Sequence, residues 1–140
     1  MEKQSKPIWS SPNIKKLTVY YDFELLRDAM SFHTPSLVYL SYRDYALEYY
    51  RDVNLASLVE ARLDIRYSKW IKDMDLRGLI IGVSKVEILH LSAASADVIA
   101  QCVEVEEDGL VLPVFKNMVK LSVSASVGTN AMNFPFGATL

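Results

Sequence analysis

The sequence predicts an α/β chain in which short parallel strands stack side by side and irregular, partly helical crossovers carry the chain from each strand to the next. Three observations carry that expectation. Apolar residues spaced i, i+3 and i+5 recur five times along the 140 residues. Similar turn-forming residues stand before each occurrence, and the gaps between occurrences suit one coil of a repeat. With 51% hydrophobic and 23% charged residues the composition is that of an ordinary globular chain. Its length fits one domain with a real core.

The five segments are Ile14/Leu17/Val19, Leu37/Leu40/Tyr42, Leu58/Ala61/Leu63, Val86/Leu89/Leu91 and Met118/Leu121/Val123. Their central positions are 23, 21, 28 and 32 residues apart. The first three gaps fall inside the about 20–29 residues per coil of leucine-rich repeats, and the last is slightly long. Ser11-Pro12-Asn13, Thr34-Pro35-Ser36, Leu55-Ala56-Ser57, Gly82-Val83-Ser84 and Phe115-Lys116-Asn117 punctuate the entries. Parallel strands with crossovers on one side give a right-handed leucine-rich-repeat solenoid. Regular repeats place Asn or Cys at i+8 to satisfy loop carbonyls, whereas this chain has Asp22, Tyr45, Arg66, Ala94 and Ser126 there. The loop backbone must then find other partners, and the coils should be uneven.

The crossovers are assigned by spacing. Residues 23–32 place Leu25, Leu26, Ala29 and Met30 on one helical face after Asp22 as N-cap. Residues 95–103 offer Val98, Ile99 and Cys102 to the core after a serine cap. A shorter-lived helical pattern over 68–81 ends at Gly82. The 43–57 connection, with Tyr45, Tyr49 and Tyr50 among charges, predicts an irregular loop. Residues 1–10 are expected as an N-terminal tail, 11–125 as the repeat domain, and 126–140 as a loosely ordered C-terminal tail.

Several function classes are disfavoured. The formal net charge is -2 and no stretch gathers Lys and Arg, so nucleic acid is not an expected partner. No run of 18 apolar residues occurs and the first residues are polar, so neither a membrane span nor a secretory signal is expected. The single cysteine, Cys102, cannot pair within the chain, which fits an intracellular setting, cytoplasmic or nuclear. His33 and His90 fall in different repeats without ligand-spaced Cys, Asp or His. Asp73/Asp75 and the acidic run Glu104 to Asp108 lack metal periodicity. No GxGxxG or GxxxxGK loop occurs. Catalytic residues, cofactors and metals are therefore not expected, and the chain should not be an enzyme.

Residues alternating with the apolar ones should line the concave face. They are Lys16/Thr18/Tyr20, Tyr39/Ser41/Arg43, Glu60/Arg62/Asp64, Ile88/His90/Ser92 and Lys120/Ser122/Ser124. Tyr20, Tyr39, Arg43, Arg62 and His90 are the candidate partner-binding residues, because Tyr and Arg supply a disproportionate share of interface energy.

The run Thr34 to Leu40 followed by Val53 to Ala61, the run Val86 to Ser92, and the run Leu112 to Leu121 together resemble the plant F-box/LRR-repeat proteins that often end in an FBD domain. The similarity covers roughly residues 11–125. It implies an RNI-like repeat fold and a place in an SCF-type ubiquitin ligase, where the repeats hold the protein to be ubiquitinated and an F-box docks on a Skp-type adaptor. Neither an F-box-like stretch nor an FBD-like one is visible here. The expected partner is a protein target, with ligase components joining where an F-box is supplied elsewhere. The competing expectation is a truncated product with no partner, destabilised by open sheet ends.

Overall fold

The computed structural model describes residues 8–22, 29–69, 71, 73–104 and 115–124. In chain order the elements are β1 (Ile8–Ser10), β2 (Lys16–Tyr20), β3 (Ala29–His33), β4 (Tyr39–Tyr45), β5 (Tyr49–Asn54), β6 (Glu60–Arg66), α1 (Arg77–Gly82), β7 (Ile88–Ser92), α2 (Ala93–Glu104) and β8 (Lys120–Ser124). Two parallel sheets result, one ordered β2-β4-β6-β7-β8 and the other β1-β3-β5.

All five template segments enter the larger sheet in one register. Leu17, Leu40, Ala61, Leu89 and Leu121 stand opposite one another, as do Val19, Tyr42, Leu63, Leu91 and Val123. The turns explain how that register is held without an asparagine ladder. The Lys15 carbonyl accepts from the N–H groups of Val38 and Tyr39, and the Val38 carbonyl from those of Val59 and Glu60. The Val59 carbonyl accepts from Glu87 and Ile88, and the Glu87 carbonyl from Val119 and Lys120. One carbonyl per coil thus serves two donors of the next, satisfying the backbone where side chains do not. Leu37, Leu58 and Val86 close their turns onto Thr34, Leu55 and Val83, just after the expected punctuation.

The core lies between the two sheets in the first coils. Met30, Phe32, Leu40 and Tyr42 are fully buried there. Phe32 and Tyr42 meet edge to face at 5.5 Å, and Tyr42 and Tyr50 at 6.3 Å. In the later coils helices replace the second sheet. α1 packs on β5, and α2 packs on β6, β7 and β8.

Several crossover expectations are corrected. Residues 29–32, expected in a helix, lie in β3; residues 23–28 fall outside the described residues. Met30 and Phe32 fit strand alternation as well as helical spacing, and pairing with β1 and β5 on both edges decides between them. The 43–57 loop instead contains the end of β4 and all of β5. Asp52 takes a positive φ of 54°, and the β3–β5 register shifts between Met30 and Phe32. This bulge breaks the period of two and hides the strand. The 68–81 helix shrinks to Arg77–Gly82, with Gly82 inside it. The 95–103 helix is present but begins at Ala93. Its cap is Ser92, whose Oγ accepts from the Ser95 N–H at 3.0 Å. Residues 8–10, placed by sequence at the end of a tail, pair with β3 as β1, and 126–140 lie outside the described residues.

Candidate functional site

Strand alternation turns Leu17, Leu40, Ala61 and Leu89 toward the core and their neighbours outward. The shared register then arranges the outward residues in rows. One row runs Thr18, Ser41, Arg62, His90, Ser122; the row below runs Lys16, Tyr39, Glu60, Ile88, Lys120. All five candidate residues, Tyr20, Tyr39, Arg43, Arg62 and His90, therefore share this outer face. Tyr20 stands opposite Arg43, and Arg62 opposite His90; Tyr39 lies between Lys16 and Glu60.

Arg43 joins three coils. Its Nε donates to Asp64 Oδ2 at 3.1 Å and its Nη1 to Asp22 Oδ1 at 3.2 Å. The guanidinium also lies 4.7 Å from the Tyr20 ring centre, and Tyr20 Oη is 3.3 Å from Ser41 Oγ. With the Asp64 side chain only 16% exposed, the Asp64 arm is better shielded from solvent than the arm to Asp22, which is 65% exposed.

His90 forms a second cluster. Nε2 is 2.9 Å from Glu60 Oε2 and Nδ1 is 2.7 Å from Ser122 Oγ. A carboxylate only accepts, so the neutral imidazole carries its proton on Nε2 and receives the Ser122 hydroxyl proton at Nδ1. Hydroxyl, imidazole and carboxylate in sequence are the parts of an acyl-transfer relay. Here they lie along an open strand face. A shallow depression nearby, lined by Tyr20, Ser41, Tyr42, Arg43, Arg62 and Asp64, holds about 10 Å³. That is room for about one water, against the ~300–1,000 Å³ of a small-molecule site.

At the far end of the face the Arg66 guanidinium lies 4.8 Å from the Tyr45 ring centre. Its Nε and Nη2 are covered yet have no hydrogen-bond acceptor among the described residues. Sequence reasoning placed Glu60, Asp64 and Ser122 on this face but not among the five binding candidates, and it did not pair Tyr45 with Arg66. The available signal was the repeat interval itself: Arg43 and Asp64 are separated by 21 residues, as Leu40 and Ala61 are.

The perturbed groups sit off this face. Burial, reinforced by Tyr50 and Asp44, pushes the Tyr42 hydroxyl well above its ordinary value. Tyr42 Oη donates to the buried Asp44 Oδ2 at 2.5 Å, and Asp44 Oδ1 accepts from the Tyr45 N–H at 2.7 Å. Hydrogen bonding from Arg77 holds the Asp75 carboxyl below its usual range at the start of α1. Both arrangements stitch the fold rather than serve the outer face.

Two F-box/LRR-repeat proteins of Arabidopsis thaliana are each 46% identical to this chain, over 113 and 117 residues, or 81% of the chain in both cases. The matched regions are 27% and 25% of those relatives. By sequence, the chain belongs with the plant F-box/LRR-repeat proteins. An F-box protein of the same plant is 41% identical over 130 residues, covering 83% of the chain and 27% of that relative. This F-box/LRR-repeat chain thus spans about a quarter of the length of the curated relatives it matches. No family model and no solved structure matches it. Among the described residues, no helix is long and apolar enough to cross a membrane, and no group of three or more His, Cys, Asp or Glu could hold a metal ion.

Proposed function

We propose that this chain is a protein-recognition module whose outer sheet face holds a protein partner. Its coils form a right-handed leucine-rich-repeat solenoid, and its setting is intracellular, cytoplasmic or nuclear. The observation that carries the reading is the alignment of Tyr20, Tyr39, Arg43, Arg62 and His90 on one register-locked face. Aromatic and Arg side chains held on a rigid scaffold lose little freedom on binding, so their contacts convert into affinity. The naming of the relatives supports a place within, or derived from, an SCF-type ubiquitin ligase. There the module would hold a target, and chemistry would belong to other subunits. We read the chain's own role as non-catalytic because, among the described residues, His90, Glu60 and Ser122 lie along an open strand face.

The test is a pull-down with a Skp-type adaptor beside one from a plant lysate. A reproducible partner that is lost in Tyr20→Ala and Arg43→Ala, without adaptor binding, supports a bare recognition module. A partner indifferent to every variant on this face overturns the reading. One observation favours a second reading, a chain that holds no partner and is marginally stable alone: Val119, Leu121 and Val123 on and beside β8 are 80%, 53% and 50% exposed. Rapid aggregation supports that reading; a monodisperse, cooperatively melting chain counts against it.

A further inference from the structure

We propose that the outer face takes an acidic, extended protein segment, and that protonation of His90 strengthens the hold. The proposal rests on the recognition reading above and names the chemistry of the partner. The chain as a whole carries a formal net charge of -2, yet this face is biased the other way. Among the described residues its strand positions present the cations Lys16, Arg43, Arg62, Arg66 and Lys120. Against them stand three carboxylates, Glu60 and Asp64 on β6 and Asp22 just after β2. Charge segregated against the net charge of the molecule creates a local field that draws the opposite sign.

Arg66 adds a directional argument. Two of its guanidinium nitrogens have no acceptor among the described residues, and its plane rests on Tyr45. Those two nitrogens are covered and out of a ligand's reach; what Arg66 offers a carboxylate is a guanidinium held in one plane by the Tyr45 ring, ready for charge-assisted hydrogen bonds.

His90 sits where a proton changes the balance. Its charged neighbours on this face are Arg62 directly opposite, Glu60 and Asp64 on the adjoining positions of β6, and Lys120 on β8. Ile88 and Ser92 on its own strand and Ser122 and Ser124 on β8 bring no charge, and α2 packs on the core side. Protonation raises the surplus of positive charge by one. It also reverses the bond to Ser122: Nδ1–H becomes the donor, and the serine hydroxyl proton is freed to meet an incoming acceptor.

The test is fluorescence anisotropy of labelled oligo-glutamate and oligo-lysine peptides of equal length with the full chain. Titrations run at low salt, at about pH 7.5 and about pH 5.5, a range in which histidine titrates while glutamate peptides stay largely ionised. Oligo-glutamate is expected to bind saturably and oligo-lysine not to bind. Arg66→Gln and Arg62→Gln should each weaken binding about three- to tenfold, and the lower pH should strengthen it about as much. The pH effect should vanish in His90→Gln and persist in His33→Gln, with circular dichroism confirming that each variant folds. Equal binding of oligo-lysine, absence of saturable oligo-glutamate binding, or an unchanged pH effect in His90→Gln overturns the proposal. A partner lost in Tyr20→Ala but not competed by oligo-glutamate also overturns it, while leaving the recognition reading intact.

Discussion

The first coils and the last ones solve the same problem differently. From β1 to β6 the larger sheet is faced by a second sheet, and Met30, Phe32, Tyr42 and Tyr50 interlock between them. From β7 onward no further strand joins the second sheet among the described residues; α2 covers the larger sheet instead, and β8 leaves Leu121 and Val123 half exposed. The strand register continues unchanged across this transition. A parallel sheet can therefore propagate on its turn ladder alone, but how well it is buried depends on what lies opposite. Stability should be concentrated in the first coils and fall toward β8.

The sharpest way to break that contrast is Phe32→Ala. Phe32 is fully buried and touches Tyr42 edge to face. Its removal leaves a cavity between two sheets that cannot close easily, with an expected cost of about 3–5 kcal/mol in denaturant unfolding. A cost under about 1 kcal/mol would mean that the two sheets do not form one packed unit.

Next comes Gly78→Ala. A Cβ there would lie only 2.2 Å from the Tyr50 carbonyl oxygen, a backbone atom that cannot swing aside. α1 must then lift from β5, at about 2–3 kcal/mol despite the higher helix propensity of alanine. Stability equal to or above the parent would show that α1 is not seated on β5.

Ser95→Ala probes the transition itself. β6 pairs with β7 only as far as Leu63, and beyond that point Ser95 Oγ takes over, accepting from the Ile65 N–H at 2.5 Å and donating to the Leu63 carbonyl at 3.0 Å. Alanine strands a buried donor, at about 1–3 kcal/mol. Ser95→Thr retains the hydroxyl and should recover part of that loss; equal loss in both variants would point to packing rather than hydrogen bonding.

The same transition explains what could be read from sequence. The strands of the larger sheet were legible because both core-side apolar positions of each strand recur at a fixed offset, from Leu17/Val19 to Leu121/Val123. The facing strands were not. Met30 and Phe32 sit in a run that also fits helical spacing, and the Asp52 bulge puts Tyr50 and Val53 three residues apart, which no alternation rule detects. The outer face was legible as a set of residues, since alternation alone places Tyr20, Arg43, Arg62 and His90 there. Its pairings were not legible. His90 reaches Glu60 diagonally rather than Arg62 directly opposite, a choice set by side-chain direction that spacing does not encode.

The smallest expected effect discriminates most finely. Leu89 and Leu121 occupy the same column of the same sheet, one coil apart, yet Leu89 is 3% exposed and Leu121 53%. Leu89→Ala should cost about 2–5 kcal/mol. Leu121→Ala should cost under about 1 kcal/mol, because little apolar area leaves water when this strand folds. It should also slow self-association, since it trims the apolar edge beside unpaired backbone groups. If the two substitutions cost the same in parallel unfolding curves, something covers β8 in solution. The gradient from closed first coils to open last coil would then not exist, and the β8 edge would belong to the core rather than to the surface.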